Sequence, residues 1–168
     1  MSIRIAQGRR QGFLPNGVPK LGMLDVPAAQ ISWPKLAEKL STHTEAEDKA
    51  SVKYIVGGYF RDKRRIDDNL VARTLLTLDF DHIDEFELVN VTDLGHAYVA
   101  HTTHSHTAED GRWRVIVPLS REVADKRAFE ILTRHVANQI SIDAMDPASC
   151  KMNQFMWMPS CKEGAPRG

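Results

Sequence analysis

The stretch from Leu75 to Asp81, Leu-Leu-Thr-Leu-Asp-Phe-Asp, is an apolar run that ends in two carboxylates one residue apart. Because side chains on a strand alternate between its two faces, Leu78 and Phe80 can enter a core while Asp79 and Asp81 lie side by side on the other face. Two carboxylates this close resist joint ionisation. A hard divalent cation relieves the repulsion, and Mg²⁺ in proteins uses one or two carboxylates together with substrate phosphates. The run therefore indicates either a site for Mg²⁺ or Mn²⁺, or a strand that leads into an acidic turn.

The length and composition are those of one soluble globular domain. The chain has 168 residues, of which 42% are hydrophobic and 26% charged, and a chain of this size can bury a core without disulfides or structural metals. Its net charge is zero, so any nucleic acid must bind a local basic patch and not an overall positive field. Arg61, Arg64 and Arg65 form the candidate nucleic-acid-binding patch, and a solvated charged turn is the plainer interpretation.

The two cysteines and the apolar runs bear on the cellular compartment. Cys150 and Cys161 have neither CxxC spacing nor enough partners for a disulfide framework, so a reducing cytoplasm is expected. No apolar run approaches the roughly 18 residues of a membrane span, and the beginning of the chain lacks the apolar segment of a signal peptide. A membrane partner is therefore not expected. The last residues, 164–168, resemble a linker, as expected for a domain cut from a longer protein.

The N-terminal part of the chain shows little regular patterning. Glycines and prolines at short intervals predict an extended arm over residues 1–24. The Ser-Trp-Pro sequence at 32–34 predicts the start of a short helix that ends near Thr42. The run at 54–60 indicates a strand that is interrupted or bulged at its two glycines.

From Thr74 onward the pattern is regular and predicts the fold. The expected elements are strand 74–81, helix 84–93, strand 96–103, strand 112–119, helix 124–140 and strand 153–158. The order βαββαβ is the split βαβ of the ferredoxin-like and RNA-recognition folds, a four-stranded antiparallel sheet with both helices on one face. The predicted class is α+β, with an RNA-recognition-like core at 74–160 and a smaller N-terminal αβ unit in the same domain, 1–168. The opposite face of such a sheet is open and holds nucleic acid in RNA-recognition modules.

This topology would bring four polar segments to one edge of the sheet. They are Asp79 and Asp81 at the end of the first strand, the Thr-Thr-His-Ser-His-Thr run at 102–107, Arg112 and Arg114 at the start of the third strand, and Asp146 before the fourth. Metal-bound carboxylates can position a triphosphate and an attacking hydroxyl, and Arg and His donors neutralise charge on phosphate oxygens. The set predicts phosphoryl transfer from a nucleotide. The arginines could instead pair with the two aspartates across neighbouring strands as structural ion pairs.

These residues resemble the motifs of the archaeo-eukaryotic primase superfamily, in particular the primase-polymerase domains of phage and plasmid replication proteins. The similarity lies in Leu-Asp-Phe-Asp81, the Thr/Ser/His run that follows, and Asp146 upstream of Met158-Pro-Ser160. The resemblance implies a nucleotidyltransferase, a DNA primase or primase-polymerase of a phage, plasmid or other mobile element. It also implies a two-metal mechanism, a single-stranded DNA template, nucleoside triphosphate substrates and a helicase domain or protein as partner.

The resemblance also implies roles for individual acids. Asp79, Asp81 and Asp146 are similar to the catalytic acids that bind the metal ions of the family. Asp143 is the alternative third acid, and the distance to the Met-Pro-Ser sequence at 158–160 favours Asp146.

The nucleotide-binding residues implied by the resemblance follow the second and third strands. Similar phage sequences favour His106 as the contact to the phosphate of the incoming nucleotide, with Ser105 beside it, whereas the strict small-x-His spacing fits His104. Arg112 and Arg114 complete this set.

Three other interpretations stay open. His101, His104 and His106 could bind zinc, although no fourth ligand accompanies them. A rolling-circle nickase of the His-hydrophobic-His type uses a related sheet, but the residue between the last two histidines is Ser105 and all three tyrosines precede the histidines. A non-catalytic nucleic-acid-binding module could keep the same sheet without the chemistry, although retention of all three acids speaks against it.

Overall fold

A computed structural model describes residues 1–16, 20–83 and 89–165. The strands of these residues are β1 (Ser2–Gly8), β2 (Val26–Ser32), β3 (Thr44–Glu45), β4 (Tyr54–Val56), β5 (Gly58–Phe60), β6 (Leu70–Asp81), β7 (Val99–Thr102), β8 (Arg112–Val123), β9 (Phe155–Trp157) and β10 (Ser160–Cys161). The α-helices are α1 (Trp33–Leu40) and α2 (Lys126–Ile140). Short 3-10 helices cover Lys49–Ser51, Asp67–Asn69, Val89–Leu94 and Pro147–Cys150.

Two antiparallel sheets contain most of the strands. One has the order β2-β1-β4-β9 and the other the order β5-β6-β8-β7, while β10 pairs in parallel with β3. Gly57 alone separates β4 from β5, so the chain passes directly from one sheet to the other. A Cβ atom at Gly57 would lie 2.8 Å from the Cβ of Leu75, which is closer than carbon atoms pack. The strand interruption predicted at the glycines is therefore a crossing between sheets.

The second sheet is built on the long antiparallel pair of β6 and β8. Their register places Leu78 opposite Val115 and Asp79 opposite Arg114. Alternate residues of both strands, including Leu78 and Val115, pack in a buried core with Phe129 of α2. Because strand side chains alternate, the residues between them, among them Asp79 and Arg114, face the other way.

That other face is partly covered by the N-terminal part of the chain. Leu75 and Ile116 pack with Ile5 of β1 and with Leu36 and Leu40 of α1 in a second buried cluster. The predicted open face is therefore limited to the end of the sheet that carries the carboxylates, and α1 and α2 lie on opposite faces.

The α+β class with antiparallel sheets is confirmed, but the last predicted strand belongs to a different sheet. β9 pairs with β4 and not with β6, whose neighbour on that side is β5. The rings of Tyr54, Phe155 and Trp157 form edge-to-face contacts with centroids 5.2 to 5.7 Å apart. Packing of the half-buried Phe155 and Trp157 rings against the buried Tyr54 favours the pairing of β9 with β4.

Two other segments differ from their predicted structure. The arm predicted over residues 1–24 is wrong for Ser2–Gly8, which is a strand with Ile3 and Ile5 buried; its alternating apolar residues precede the glycines and prolines on which the prediction rested. The helix predicted at 84–93 falls partly outside the described residues, and its described end is a 3-10 helix over Val89–Leu94. None of the helices in the described ranges is long and apolar enough to span a membrane.

Candidate active site

One cleft at the end of β6 gathers most of the predicted site residues. It has a volume of about 180 Å³. The predicted residues that line it are Asp79, Asp81, Asp146, His104, Ser105, Arg112 and Arg114. The lining also includes Thr103 of the polar run at 102–107, the Met-Pro-Ser sequence at 158–160, and His101, which the sequence suggested only as a zinc ligand. Lys49 and Trp157 also line it and were not predicted for the site. The tertiary structure therefore brings together the acids, both arginines and one of the two candidate histidines.

The turn that carries Asp146 is hydrogen-bonded to the end of β6. The Asp146 amide donates to the Asp79 carbonyl at 2.8 Å, and the Asp79 amide donates to Ser149 Oγ at 3.0 Å. Asp146 Oδ1 accepts from the Ala148 amide at 2.8 Å and so caps the 3-10 helix at Pro147–Cys150. Backbone hydrogen bonds thus fix the third acid beside the first.

Asp143, the alternative third acid, does not line the cleft. Its side chain is exposed, whereas Asp146 is half-buried at the cleft wall. This placement supports Asp146 as the third acid, in agreement with its separation in sequence from the Met-Pro-Ser sequence at 158–160.

Asp79 and Asp81 are each paired with an arginine of β8. Arg114 binds Asp79 through two parallel hydrogen bonds, of which Nη2 to Oδ2 is 3.0 Å long. Arg112 Nη1 donates to Asp81 Oδ1 at 3.1 Å, and its Nε donates to Asp110 Oδ2 at 2.8 Å. The side chains of Arg114 and Asp79 are only 10% and 21% exposed. The two guanidinium groups therefore neutralise the carboxylate pair, as the structural ion-pair interpretation anticipated.

The same acids are the candidate ligands for a metal ion. Among the described residues, no three His, Cys, Asp or Glu side chains lie close enough together to hold one. The donor chemistry nevertheless suits a hard cation, because three carboxylates line one cleft. Within the described part of the chain, Asp81 and Asp146 each have one carboxylate oxygen that accepts no hydrogen bond. The donor types therefore fit Mg²⁺ or Mn²⁺, whereas Asp79 would have to exchange Arg114 for the cation.

His101 is a buried residue of the cleft that the sequence suggested only as a zinc ligand. It is 1% exposed and opposes Arg114 in the β7–β8 register. Burial, with the positive charge of Arg114, lowers the pKa of His101 to about 3. Nδ1 lies 2.8 Å from the Thr102 carbonyl oxygen, and Nε2 has no hydrogen-bond partner in the described ranges. Since Nδ1 donates to that carbonyl, Nε2 is a neutral acceptor. The register of β7 against β8 places His101 opposite Arg114, and this pairing is the signal that identifies His101 as a residue of the site.

His104 is the candidate histidine that lines the cleft. Its Nδ1 lies 3.2 Å from Ser160 Oγ. Burial and the positive charges of Lys162 and Lys49 lower the pKa of His104, against opposite effects of the Glu47 backbone and Asp48 that are smaller in sum. Two lysines therefore lie near this imidazole.

His106, the favoured candidate, is not among the residues that line the cleft. Its Nδ1 accepts a hydrogen bond from the Arg112 amide at 3.1 Å, and its ring contacts Trp113 edge to face with centroids 5.8 Å apart. This position favours His104 for contact with a ligand in the cleft, and the phosphate role of either histidine stays a prediction. In the described ranges, neither belongs to a group that could hold zinc.

The predicted nucleic-acid patch lies at the opposite end of β6 from the carboxylates. Phe60, which precedes Arg61, pairs with Leu70 at the start of β6, and Asp79 follows nine residues later. At roughly 3.3 Å per residue, this separation is about 30 Å. The tertiary structure therefore does not bring these arginines to the cleft.

The three arginines of the patch also differ in their surroundings. Arg65 donates to the carbonyls of Leu21 and Asn153, at 3.0 and 2.9 Å, and so joins two loops. Arg64 pairs with Asp62 at 2.9 Å and is 62% exposed, and Arg61 is also exposed. Only Arg61 and Arg64 are therefore suitably presented to a nucleic acid.

Comparisons with known proteins agree with this fold. The family model described as the VapE N-terminal domain matches residues 27–166. The structure is similar to the AEP domain of the cyanophage S-2L primase-polymerase, with a TM-score of 0.50, 11% identity, and coverage of 95% of this chain and 74% of that chain. It is also similar to the polymerase domain of Mycobacterium tuberculosis ligase D in complex with DNA, with a TM-score of 0.46, 17% identity, and coverage of 94% and 68%. No curated protein sequence matches. The predicted resemblance to primase-polymerase domains is therefore confirmed at the level of the fold.

Proposed function

This chain belongs to the family of VapE N-terminal domains, and on that premise we propose that it is a primase-polymerase-type nucleotidyltransferase in the replication of a phage, plasmid or other mobile element. The observation that carries the proposal is the convergence of Asp79, Asp81 and Asp146 with Arg112 and Arg114 around one cleft. Acids that suit a hard cation, next to arginines that suit phosphate, are the groups that nucleotidyl transfer requires.

In the proposed reaction a 3′-hydroxyl attacks the α-phosphorus of a nucleoside triphosphate and a new P–O bond forms. The bond from that phosphorus to the oxygen that bridges to the β-phosphate breaks, pyrophosphate leaves, and the hydroxyl proton is lost to water. Asp79, Asp81 and Asp146 would hold Mg²⁺ or Mn²⁺ in a two-metal arrangement, which supplies Lewis acidity at the phosphate oxygens when bound. The template is single-stranded DNA, and a helicase domain or protein is the expected partner.

The chain's own cations have two tasks in this proposal. Without ligand, Arg114 and Arg112 neutralise Asp79 and Asp81. When a triphosphate enters, the guanidinium groups can exchange carboxylate for phosphate oxygens, because phosphate is also bound by charge-assisted hydrogen bonds. The exchange would release Asp79 for metal binding. His104 lines the same cleft and is the better-placed candidate for a phosphate contact.

A template-directed incorporation assay tests the proposal. Wild-type protein with Mg²⁺ or Mn²⁺ should extend or start a strand on single-stranded DNA, and Asp81→Asn or Asp146→Asn should abolish incorporation. Asp143→Asn is the matched control, since Asp143 is an exposed neighbour outside the cleft, and it should retain activity. Undiminished incorporation by both cleft variants would exclude the proposed role of the acids.

A non-catalytic nucleic-acid-binding module is the second candidate. The arginine pairs favour it, because they neutralise Asp79 and Asp81 without any metal. Absence of incorporation by the wild-type protein under both metals, together with retained binding of nucleotide or DNA, would establish this alternative. The nickase has less support, since no tyrosine is among the described residues that line the cleft.

A further inference from the structure

A second cleft opens beside the candidate active site. It has a volume of about 380 Å³ and shares Lys49, His104 and Ser105 with the first cleft. Lys162 also lines it, together with Glu47 and Asp48. The two clefts therefore adjoin at the three shared residues, and none of the three candidate acids lines the second one.

The parallel pairing of β3 with β10 brings the cationic residues of the second cleft together. Thr44 pairs with Ser160 and Glu45 with Cys161. Lys49 and Lys162 lie shortly after these two strands, are both exposed, and in the described ranges neither forms a salt bridge. Two solvent-facing lysines without acidic partners attract an anion from solution.

The acids of the second cleft are less available to oppose an anion. Asp48 forms a salt bridge with Arg10 at 2.5 Å, and its other oxygen accepts from the Ala50 amide at 2.8 Å. Glu47 is the one remaining acid among the residues that line this cleft. Lys49 and Lys162 therefore outnumber it.

The Arg10–Asp48 salt bridge also places an exposed aromatic ring beside the second cleft. The guanidinium carbon of Arg10 lies 4.5 Å from the centroid of the Phe13 ring. Phe13 is 57% exposed, far more than a core phenylalanine, and backbone hydrogen bonds between the 11–12 segment and Lys20 hold it in place. An exposed aromatic ring backed by an arginine is a platform on which a nucleobase can stack.

We propose that the second cleft is the path along which single-stranded nucleic acid reaches the candidate active site, with Lys49 and Lys162 binding backbone phosphates and Phe13 stacking on a base. A cationic groove combined with aromatic platforms is the common solution for binding a single strand. Phe13 is linked through Arg10 to Asp48, which lines the second cleft and not the first. The platform therefore adjoins the cleft that the three candidate acids do not line, and a strand that continues past the lysines would bring a base to it. The proposed path depends on the proposed function in one respect only, namely that nucleotidyl transfer on the strand takes place at the three acids.

Binding of a fluorescent oligo-dT strand, measured by anisotropy over a range of salt concentrations, tests the proposal. Lys49→Ala/Lys162→Ala should weaken binding and lower the slope of log affinity against log salt by about 1.4, since each phosphate contact contributes roughly 0.7. Phe13→Ala should weaken binding about tenfold at unchanged slope, because stacking releases no counterions. Lys126→Ala/Arg127→Ala is the matched control: it removes two exposed charges from α2, on the opposite face of the sheet, and should change neither quantity.

Two outcomes would overturn the strand path. One is unchanged strand binding by the lysine variant together with loss of binding of a fluorescent nucleoside triphosphate, which would assign the lysines to the triphosphate. The other is strand binding lost only in Arg61→Ala/Arg64→Ala, which would return the strand to the far end of β6. The proposed function fails separately: a wild-type protein that incorporates no nucleotide but shows the predicted binding pattern refutes the transferase and leaves the strand path intact.

Discussion

Arg114 of β8 donates two hydrogen bonds to Asp79, its direct partner on β6, and a third to the Trp157 carbonyl at 3.0 Å. One guanidinium thus joins the centre of the second sheet to β9 of the first. The Asp79 amide is also bound to Ser149 of the turn that carries the third acid. The geometry of the cleft and the connection between the two sheets therefore depend on the same residue.

Loss of Arg114 should destabilise the fold. Arg114→Ala leaves a poorly exposed carboxylate and a carbonyl without their donor, and removal of one partner of a buried pair costs about 3 kcal/mol. Urea denaturation should show this decrease in the free energy of unfolding. Arg112→Ala, whose arginine is 28% exposed, is the control and should cost less. Equal decreases in the free energy of unfolding for the two variants would mean that the hydrogen bond from Arg114 to the Trp157 carbonyl contributes nothing to stability.

Asp79 should behave differently from the other two acids. If Asp79 and Asp81 repelled each other, Asp79→Asn would relieve that repulsion and leave the protein fully stable. In the structure, however, Arg114 neutralises the Asp79 carboxylate, so the substitution removes a charge-assisted pair. We expect Asp79→Asn to lower the denaturation midpoint, whereas Asp81→Asn, at a 44% exposed carboxylate, changes it little. A stable Asp79→Asn variant would contradict the importance of the pair.

The two candidate histidines should separate in nucleotide binding. His104 lines the cleft and His106 does not, so His104→Ala should weaken the apparent affinity for nucleoside triphosphate more than His106→Ala. Titration of both variants with a fluorescent nucleotide decides the order. The reverse order would restore His106, which the similarity to phage sequences favoured.

His101 should make the protein sensitive to acid. Its pKa of about 3 in the folded protein lies below the unfolded value of 6.5, so between these values the unfolded state binds a proton that the native state does not, and stability falls as the pH falls. Arg114 and His43 disfavour the charged ring, and the opposite effect of Asp79 is smaller. From pH 7 to pH 5 the loss attributable to His101 should be about 2 kcal/mol. Comparison of wild type with His101→Gln by urea denaturation at both pH values measures it, and identical pH dependence would contradict it.

Gly57 should tolerate no side chain. A Cβ at this crossing between the sheets would lie 2.8 Å from Leu75 Cβ and 3.1 Å from Arg73 Nη2, and overpacking of this kind costs about 1–3 kcal/mol. Gly22→Ala is the matched control, because no heavy atom lies within 4 Å of a Cβ there. Thermal melting should show a lower midpoint for Gly57→Ala alone.

Local patterns predicted the centre of the fold and much of the site. Alternation along β6 and β8 assigns Asp79, Asp81, Arg112 and Arg114 to one face, because the period of a strand is a property of its backbone alone. The apolar spacing in α2 is equally local, and so the helix was predicted within two residues of its observed start. These features needed no knowledge of any distant contact.

Long-range packing decided the remainder, because strand pairing depends on contacts between segments that are distant in sequence. β9 could have extended the second sheet. Instead, the chain crosses between the sheets at Gly57, and the aromatic cluster of β4 and β9 favours the pairing of β9 in the first sheet. Which histidine lines the cleft depends on the loop after β7 and on Ser160 beside it. Lys49 and Lys162 meet only because β3 pairs with β10. The sequence alone thus determined which residues share a face, and only the tertiary structure decided which segments share a site.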